Sequence, residues 1–250
     1  MTMFSKKYMI DRSLPIFLFL FFLATNLPFS LYGESNSYFG AAYDQKSGQK
    51  VYTDNHNENL DGTTHTSSKI EYKDPAGKVI AKKNISFLKN SSLPDFKLED
   101  LRDGYIEGGE IVDGKYKLIY RKNKNEPIQE KILEIAPKSV ADGGFDHFIK
   151  ENWIDLLAGK KIKFQFYAPS QLDSFNFYVK KVKQADYEGR DSLFVKMEMD
   201  NLLLNIFIPP IYITYDIQTQ RIVYYEGISN INNSSGKSYF VKLAYNHFKK

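Results

Sequence analysis

Histidine is the side chain of this sequence best suited to acid–base or metal chemistry, so its positions are the first to consider. The chain has 4 histidines, at His56, His65, His147 and His247. No pair has the HExxH spacing that would place two imidazoles on one turn of a helix. His147 lies beside Asp146, but helical geometry predicts that it faces solvent, opposite Phe145. We therefore expect no metal site and no metal cofactor.

Two of the histidines lie in a polar stretch, residues 55–67, close to Asp54. Carboxylates and imidazoles together can bind a cation weakly. The composition of the stretch is more typical of a mobile surface loop, and this is the structure that we predict for it.

Other catalytic signatures are absent from the sequence. With 0 Cys the chain has no thiol nucleophile, and it contains no nucleophile elbow, no P-loop and no dinucleotide-binding fingerprint. The closely spaced acids at Asp186 and Glu188, or at Glu198 and Asp200, could serve glycoside hydrolysis. Alternating acids in a chain with 26% charged residues are more typical of the solvated face of a strand. We predict a non-enzymatic protein without a cofactor, with a carboxylate-dependent hydrolase as the enzymatic alternative.

The amino terminus, residues 1–33, resembles a secretory signal peptide. It has a basic start at Lys6 and Lys7, an apolar run at 14–24 and a small residue at Gly33. The apolar run is shorter than the roughly 18 residues that a spanning helix needs. We expect export to the periplasm or the extracellular space, with peripheral or no membrane contact after cleavage. The alternative is a membrane tether formed by an uncleaved leader.

The charge of the exported part argues against nucleic acid as a partner. Removing residues 1–33 takes away three bases and one acid, which lowers the formal net charge from +4 to +2. The remaining bases alternate with acids and form no arginine-rich run.

The absence of cysteine also excludes disulfides, which suits a bacterial envelope compartment. Residues 34–250 are long enough for one domain with a sizeable core.

One stretch, residues 141–161, has the period of an amphipathic helix. Its apolar positions recur at helical spacing. These positions are Phe145, Phe148, Ile149, Trp153, Leu156 and Leu157. We predict a helix near 144–158 that buries this stripe and ends at Gly159, which can adopt the left-handed conformation.

The rest of residues 34–250 is typical of short strands joined by hairpins. Ile162, Phe164 and Phe166 alternate on one face, and Asp74 to Gly77 reads as a tight turn. Residues 201–208 fit either a helix or a strand. Because a wide antiparallel sheet tends to curl, we predict a mainly-β fold. It is a strongly curved antiparallel sheet, a half-barrel or barrel-like meander, wrapped around one central α-helix.

Three stretches, at 94–105, 143–179 and 211–231, together carry a resemblance. They contain the runs PDFKLEDLRDGY, GGFDHFIKENW and IYITYDIQTQRIVYYEG. In this order they resemble a family of uncharacterised exported bacterial proteins, which implies no known chemistry. The predicted architecture is more loosely similar to periplasmic half-barrel proteins such as lipoprotein carriers. That likeness implies a curved sheet that holds helices over an apolar groove.

The aromatic content of 15% exceeds what one short helix needs as packing partners, which suggests room for a ligand. We predict that an apolar or amphipathic small molecule, such as a lipid, binds in the concave groove. The expected ligand-binding residues are Phe148, Trp153, Phe164, Phe166, Phe177, Tyr225, Glu226, Ser229 and Asn230. Glu226, Ser229 and Asn230 would fix a head group, unless Gly227 simply makes a bulge there. The alternative is a solid core whose outer surface binds an envelope protein.

Overall fold

One long antiparallel meander organises the chain. The computed structural model describes residues 35–201 and 209–247, so the predicted leader at 1–33 and most of the ambiguous stretch at 201–208 lie outside the described residues. The strands are β1 (Ser35–Asp44), β2 (Lys50–Asp61), β3 (Thr64–Lys73), β4 (Val79–Ser86), β5 (Asp95–Asp100), β6 (Ile106–Val112), β7 (Lys115–Arg121), β8 (Gln129–Leu133), β9 (Ser139–Val140), β10 (Ile162–Ala168), β11 (Asp173–Tyr187), β12 (Arg190–Met199), β13 (Ile211–Asp216), β14 (Ile222–Asn232) and β15 (Ser238–Asn246). The helices are α1 (Gly144–Glu151) and α2 (Trp153–Leu157). None of the helices described is long and apolar enough to cross a membrane.

The strands form one curved, unclosed 15-stranded sheet in the order β8-β7-β6-β5-β4-β3-β2-β1-β15-β14-β13-β12-β11-β10-β9. The first strand pairs with the last, and every pairing is antiparallel except that of β9 with β10. The two ends of the sheet approach each other through side chains. Tyr167 donates from its hydroxyl to the carbonyl of Glu134 at 2.7 Å, and Lys131 lies 3.5 Å from Asp173. The predicted mainly-β class is confirmed.

The polar stretch at 55–67 is not the loop that the sequence predicts. It forms the end of β2 and the start of β3, joined by a tight turn at Gly62, where φ is +59°. Its polar side chains pair across the two strands, as in the 2.9 Å hydrogen bond from Asn59 to Ser67. The prediction was wrong because it interpreted polar residues on both faces as a solvent-exposed loop. In the structure, the inner face of this hairpin lines a polar part of the interior.

The predicted helix forms, but it is interrupted at Asn152. Asn152 has φ −104° and ψ 18°, and its side-chain amide donates to the carbonyl of Phe148 at 2.8 Å, which ends α1. The second helix begins at the next residue, and Gly159 takes the predicted left-handed conformation with φ +80°. The apolar stripe is mostly buried, with Phe148 on α1 and Trp153 and Leu156 on α2 inside, while Ile154 on α2 is exposed.

The inner face of the sheet carries two separate apolar clusters. The first is built mainly by β2 to β7 and β15, around residues such as Tyr52, Tyr72, Leu98, Tyr116 and Leu118. The second joins the helices to β10–β13 and includes Phe145, Phe148, Trp153, Phe164, Val195 and Tyr215. Tyr225 packs against both clusters. The helices therefore cover only one half of the sheet, and the predicted wrapping of the whole sheet around one central helix is not confirmed.

Candidate functional site

A groove of about 770 Å³ opens beside the break between α1 and α2. Its walls are the loop at 87–92, the connection at 135–139 and the end of α1, where Phe148, Glu151 and Asn152 line it. Its volume lies within the roughly 300–1,000 Å³ that small-molecule sites occupy. We refer to it as the helix-break groove.

The helix-break groove combines apolar and polar groups. The surface that lines the groove is mainly polar; Phe87 and Phe148 are almost fully buried, so its apolar part comes chiefly from Leu88, which is 76% exposed, and from the half-buried Ile135. Lys138 is exposed and has no acidic partner among the described residues. This arrangement can receive a molecule with an apolar body and an anionic group.

The carboxylate in the groove is already engaged. Glu151 accepts hydrogen bonds from the hydroxyls of Ser91 at 2.6 Å and Ser92 at 3.0 Å. These bonds fasten the loop at 87–92 to the end of α1. Because Glu151 keeps its negative charge, an anionic group of a ligand would lie toward Lys138 and away from Glu151.

Local hydrogen bonds fix the walls of the groove before any ligand arrives. The side chain of Asn90 accepts from the backbone N–H groups of Ser92 at 3.0 Å and Leu93 at 2.8 Å, which shapes a tight turn. The fully buried Leu93 anchors that turn in the first apolar cluster. On the opposite wall, Ser139 donates to the carbonyl of Ala136 at 2.7 Å. The groove is therefore largely preformed.

The structure disperses the predicted ligand-binding residues instead of gathering them in one cavity. Phe148, Trp153 and Phe164 are buried in the helix cluster, where Phe148 and Phe164 have ring centres 4.9 Å apart. Phe166 and Phe177 are half-buried at the margin of the same cluster. Phe148 is the member of this aromatic set that also lines the helix-break groove.

The predicted ligand-binding residues on β14 divide between the two faces of the sheet. Tyr225 points to the inner clusters, and Glu226 lies on the outer face because neighbouring strand residues alternate. Glu226 accepts hydrogen bonds from Gln45 at 2.8 Å and from Tyr224 at 3.2 Å. It is therefore held by its own surface neighbours.

Ser229 and Asn230 take part in polar contacts of the interior. Ser229 is buried and shares a 2.8 Å hydrogen bond with the hydroxyl of Tyr52. Asn230 donates to a carboxylate oxygen of Asp142 at 3.2 Å. That carboxylate also forms a 2.6 Å ion pair with Lys83, whose side chain is 6% exposed. These contacts tie β4 and β14 to Asp142, two residues before α1.

Sequence reasoning missed that the 4 histidines form two pairs, His65 with His147 and His56 with His247, each packed with an aromatic ring. His65 and His147 lie side by side, with His65 Nδ1 3.3 Å from His147 Nε2. The ring of Phe87 packs against both imidazoles at centre distances of 4.6 and 4.4 Å. The prediction that His147 faces solvent is wrong, because β3 and the loop after β4 cover that side of α1.

The other two histidines enclose a tyrosine. The ring of Tyr38 has its centre 4.4 Å from that of His56 and 4.2 Å from that of His247. The guanidinium group of Arg221 lies 3.2 Å from His247 Nδ1. His247 Nε2 donates a hydrogen bond of 2.5 Å to the carbonyl of Ile222. Burial lowers the pKa of His247 to about 4. Its imidazole is therefore neutral at pH 7.

Across residues 35–201 and 209–247, no group of three or more histidine or acidic side chains has a geometry that could hold a metal ion. One sequence signal could have revealed part of this arrangement. Asp54, His56 and Glu58 alternate at the period of a strand, which places all three on one face of β2.

The comparisons with known proteins add a fold-level likeness. No protein-family model matches the chain, and no curated protein matches it. Among solved structures, the chain is similar to a beta-barrel-like protein of domain of unknown function DUF1849 from Brucella abortus, with a TM-score of 0.43 and 10% sequence identity. That likeness covers 88% of this chain and 99% of the Brucella chain.

Proposed function

We propose that this protein is a non-enzymatic, exported binding protein that holds an amphipathic small molecule, such as a lipid, in the helix-break groove. The observation that carries the proposal is the groove itself, which brings Leu88 and Phe148 together with Lys138 in one open space. The export rests on the signal-like residues 1–33.

The groove suits the ligand better than the concave interior does. The interior of the sheet is filled by the two apolar clusters and by the ion pair of Lys83 with Asp142. The apolar part of a ligand would lie against Phe87, Leu88 and Ile135. Burying an apolar chain there would contribute about 0.8 kcal/mol for each methylene removed from water.

The polar end of the ligand would lie toward Lys138. An ammonium group is a compact positive charge that attracts carboxylate and phosphate without demanding one geometry. Glu151 keeps its negative charge while it accepts from Ser91 and Ser92, but it forms no ion pair with Lys138. An anionic amphiphile therefore fits the groove better than a cationic one.

A second function is favoured by the edge of β8, which among the described residues pairs with β7 alone. This strand is the last of the sheet. Ile132 on the strand and Ile128 just before it are both exposed. An unpaired edge with exposed apolar side chains can accept an extended segment of another protein as an added strand. The exported chain would then act as a partner-binding subunit of the envelope.

A fluorescent fatty acid tests the leading proposal. We expect it to bind to the exported chain and to be displaced by unlabelled lipid. The variant Leu88→Asp should bind about tenfold more weakly or worse, because it places a charge where apolar surface is buried. Leu88 is 76% exposed, so the substitution leaves the core intact.

The matched control is Ile154→Asp. Ile154 lies on α2, is 81% exposed and does not line the groove. Its variant should bind the probe as the unchanged chain does. Equal affinity of the Leu88→Asp variant and the unchanged chain, or no binding of the probe at all, contradicts the proposal.

A further inference from the structure

The outer face of β10–β12 carries an unusual concentration of lysine. We call it the lysine face and define it by Lys161, Lys163, Lys180, Lys183 and Lys196. We propose that the lysine face binds the anionic head groups of a lipid bilayer. This inference is independent of the proposed function, because none of these lysines lines the helix-break groove.

The strand register brings the lysines together. Lys180 on β11 is directly opposite Lys196 on β12, and Lys196 is opposite Tyr212 on β13. The neighbouring residues Val179 and Met197 are buried on the inner face, so the lysines lie on the outer one. Like charges directly opposite each other destabilise a sheet. An anionic partner would relieve that repulsion.

The carboxylates on this face are too few to neutralise it. Lys180 and Lys196 share Glu198, at 3.9 and 2.7 Å. One negative charge serves two ammonium groups there. The face keeps an uncompensated positive charge at this pair.

A second pair repeats the pattern. Lys161 and Lys163 share Asp200, at 3.3 and 2.6 Å. Lys183 has no carboxylate partner in the part of the chain that the structure describes, and its ammonium group lies 4.6 Å from the centre of the Phe194 ring. The whole face therefore retains a net positive charge, although the exported chain is close to neutral overall.

Aromatic and apolar side chains between the lysines favour a bilayer as the partner. The ammonium group of Lys161 lies 3.5 Å from the centre of the Tyr178 ring, and Tyr212 and Val182 are exposed nearby. Tyrosine and aliphatic groups are suited to the boundary between head groups and acyl chains, and lysine stems can lie along it while their charges reach phosphate.

Nucleic acid fits this face less well. Proteins that bind single strands stack bases on open aromatic rings. Here the rings of Tyr178 and Phe194 are covered by the ammonium groups of Lys161 and Lys183. The positive charges also come from lysine. Its ammonium group can pair with the phosphate of a head group, but it lacks the planar, bidentate geometry with which the guanidinium of arginine binds bases.

Cosedimentation with vesicles tests the inference. We expect the exported chain to bind vesicles of phosphatidylcholine mixed with phosphatidylglycerol, to leave them at high salt, and to ignore pure phosphatidylcholine. The combined variant Lys163→Gln, Lys180→Gln and Lys183→Gln should bind on the order of a hundredfold more weakly, since each lysine near an anionic surface contributes about fivefold.

The matched control removes the same charge elsewhere. Lys82, Lys97 and Lys115 are exposed lysines on β4, β5 and β7. Their combined change to Gln should weaken binding only slightly. Equal losses in the two variants, binding that ignores the anionic lipid, or binding of heparin or DNA without vesicle binding would overturn the inference. Circular dichroism of both variants separates loss of charge from loss of fold.

Discussion

His65 on β3 and His147 on α1 are joined by a hydrogen bond of 3.3 Å between His65 Nδ1 and His147 Nε2. His65 Nε2 in turn lies 3.2 Å from the carbonyl of Ser67 and 2.8 Å from the hydroxyl of Ser68. The bond links a strand of the first apolar cluster to the helix of the second.

This pair predicts that the protein loses stability in mild acid. Burial lowers the pKa of His65 and of His147 in the folded chain, where Glu58, Asp146, Glu151 and Lys150 are the charged neighbours. The unfolded chain, with ordinary histidine pKa values near 6.5, then binds more protons than the folded chain as the pH falls. The free energy of unfolding should decrease below about pH 6.5, as urea denaturation at several pH values would measure.

The variant His147→Gln is the control for this effect. Its side-chain amide can still donate to His65 Nδ1 but cannot take up a proton. Its unfolding free energy should fall less steeply between pH 7 and pH 5.5 than that of the unchanged chain, since these pH values bracket the ordinary histidine pKa. An identical slope in both proteins would show that the pair does not titrate as the structure implies.

His247 gives a second, spectroscopic prediction. Its pKa of about 4 and its Nε2 donation to Ile222 mean that the imidazole stays neutral in one tautomer through the range where free histidine titrates. Nitrogen chemical shifts should report protonated Nε2 and unprotonated Nδ1 at pH 6, with a titration midpoint near pH 4. A midpoint near 6.5, the value for an exposed histidine, would contradict the burial and contacts described above.

The parts of this fold that the sequence predicts are those set by near neighbours. The stripe containing Phe148 and Trp153 identifies the helix because helical period is a local property. The turn at Asp74 likewise forms as expected, with its carboxylate accepting from the backbone of Ala76 at 3.0 Å. The break at Asn152 depends on one side-chain hydrogen bond to Phe148, which periodicity does not encode.

The histidine arrangement could not be predicted in the same way. Tyr38 meets His56 and His247 because β1 pairs with both β2 and β15, and the second of these pairings joins opposite ends of the chain. The spacing of residues in the sequence does not predict the pairing of β1 with β15. The helix-break groove was missed for a similar reason, since its walls at 87–92 and 135–139 come from distant loops.

The ion pair of Lys83 with Asp142 should be a strong determinant of stability. The two side chains are 6% and 9% exposed and lie 2.6 Å apart. The variant Asp142→Asn leaves the Lys83 charge buried without its counter-ion, which costs about 3–5 kcal/mol in such pairs. Asparagine tolerates the left-handed conformation of this residue, where φ is +42°, so the backbone adds little strain. Chemical denaturation would measure the loss.

An exposed ion pair provides the comparison. Lys160 and Asp155 lie at a similar distance, 2.7 Å, but their side chains are 63% and 45% exposed. The variant Asp155→Asn should change stability by less than about 1 kcal/mol, because water screens and replaces such pairs. Similar losses in the two variants would mean that Asp142 is not buried with Lys83 as described.

Gly144 at the start of α1 couples the fold to the helix-break groove. A Cβ atom at this position would lie 2.1 Å from the carbonyl oxygen of Ser92, which is backbone and cannot move freely. An alanine in a helix normally stabilises by about 0.5–1 kcal/mol relative to glycine, but Gly144→Ala should instead destabilise by about 1–3 kcal/mol. Since Ser92 belongs to the groove wall, the same variant should weaken binding of the fluorescent fatty acid.

Gly159→Ala is the control, because its Cβ would meet nothing within 4 Å. Its left-handed backbone makes it lose about 1 kcal/mol of stability, and binding should remain unchanged. A stabilised Gly144→Ala protein with full binding would show that α1 does not pack against Ser92 as closely as described.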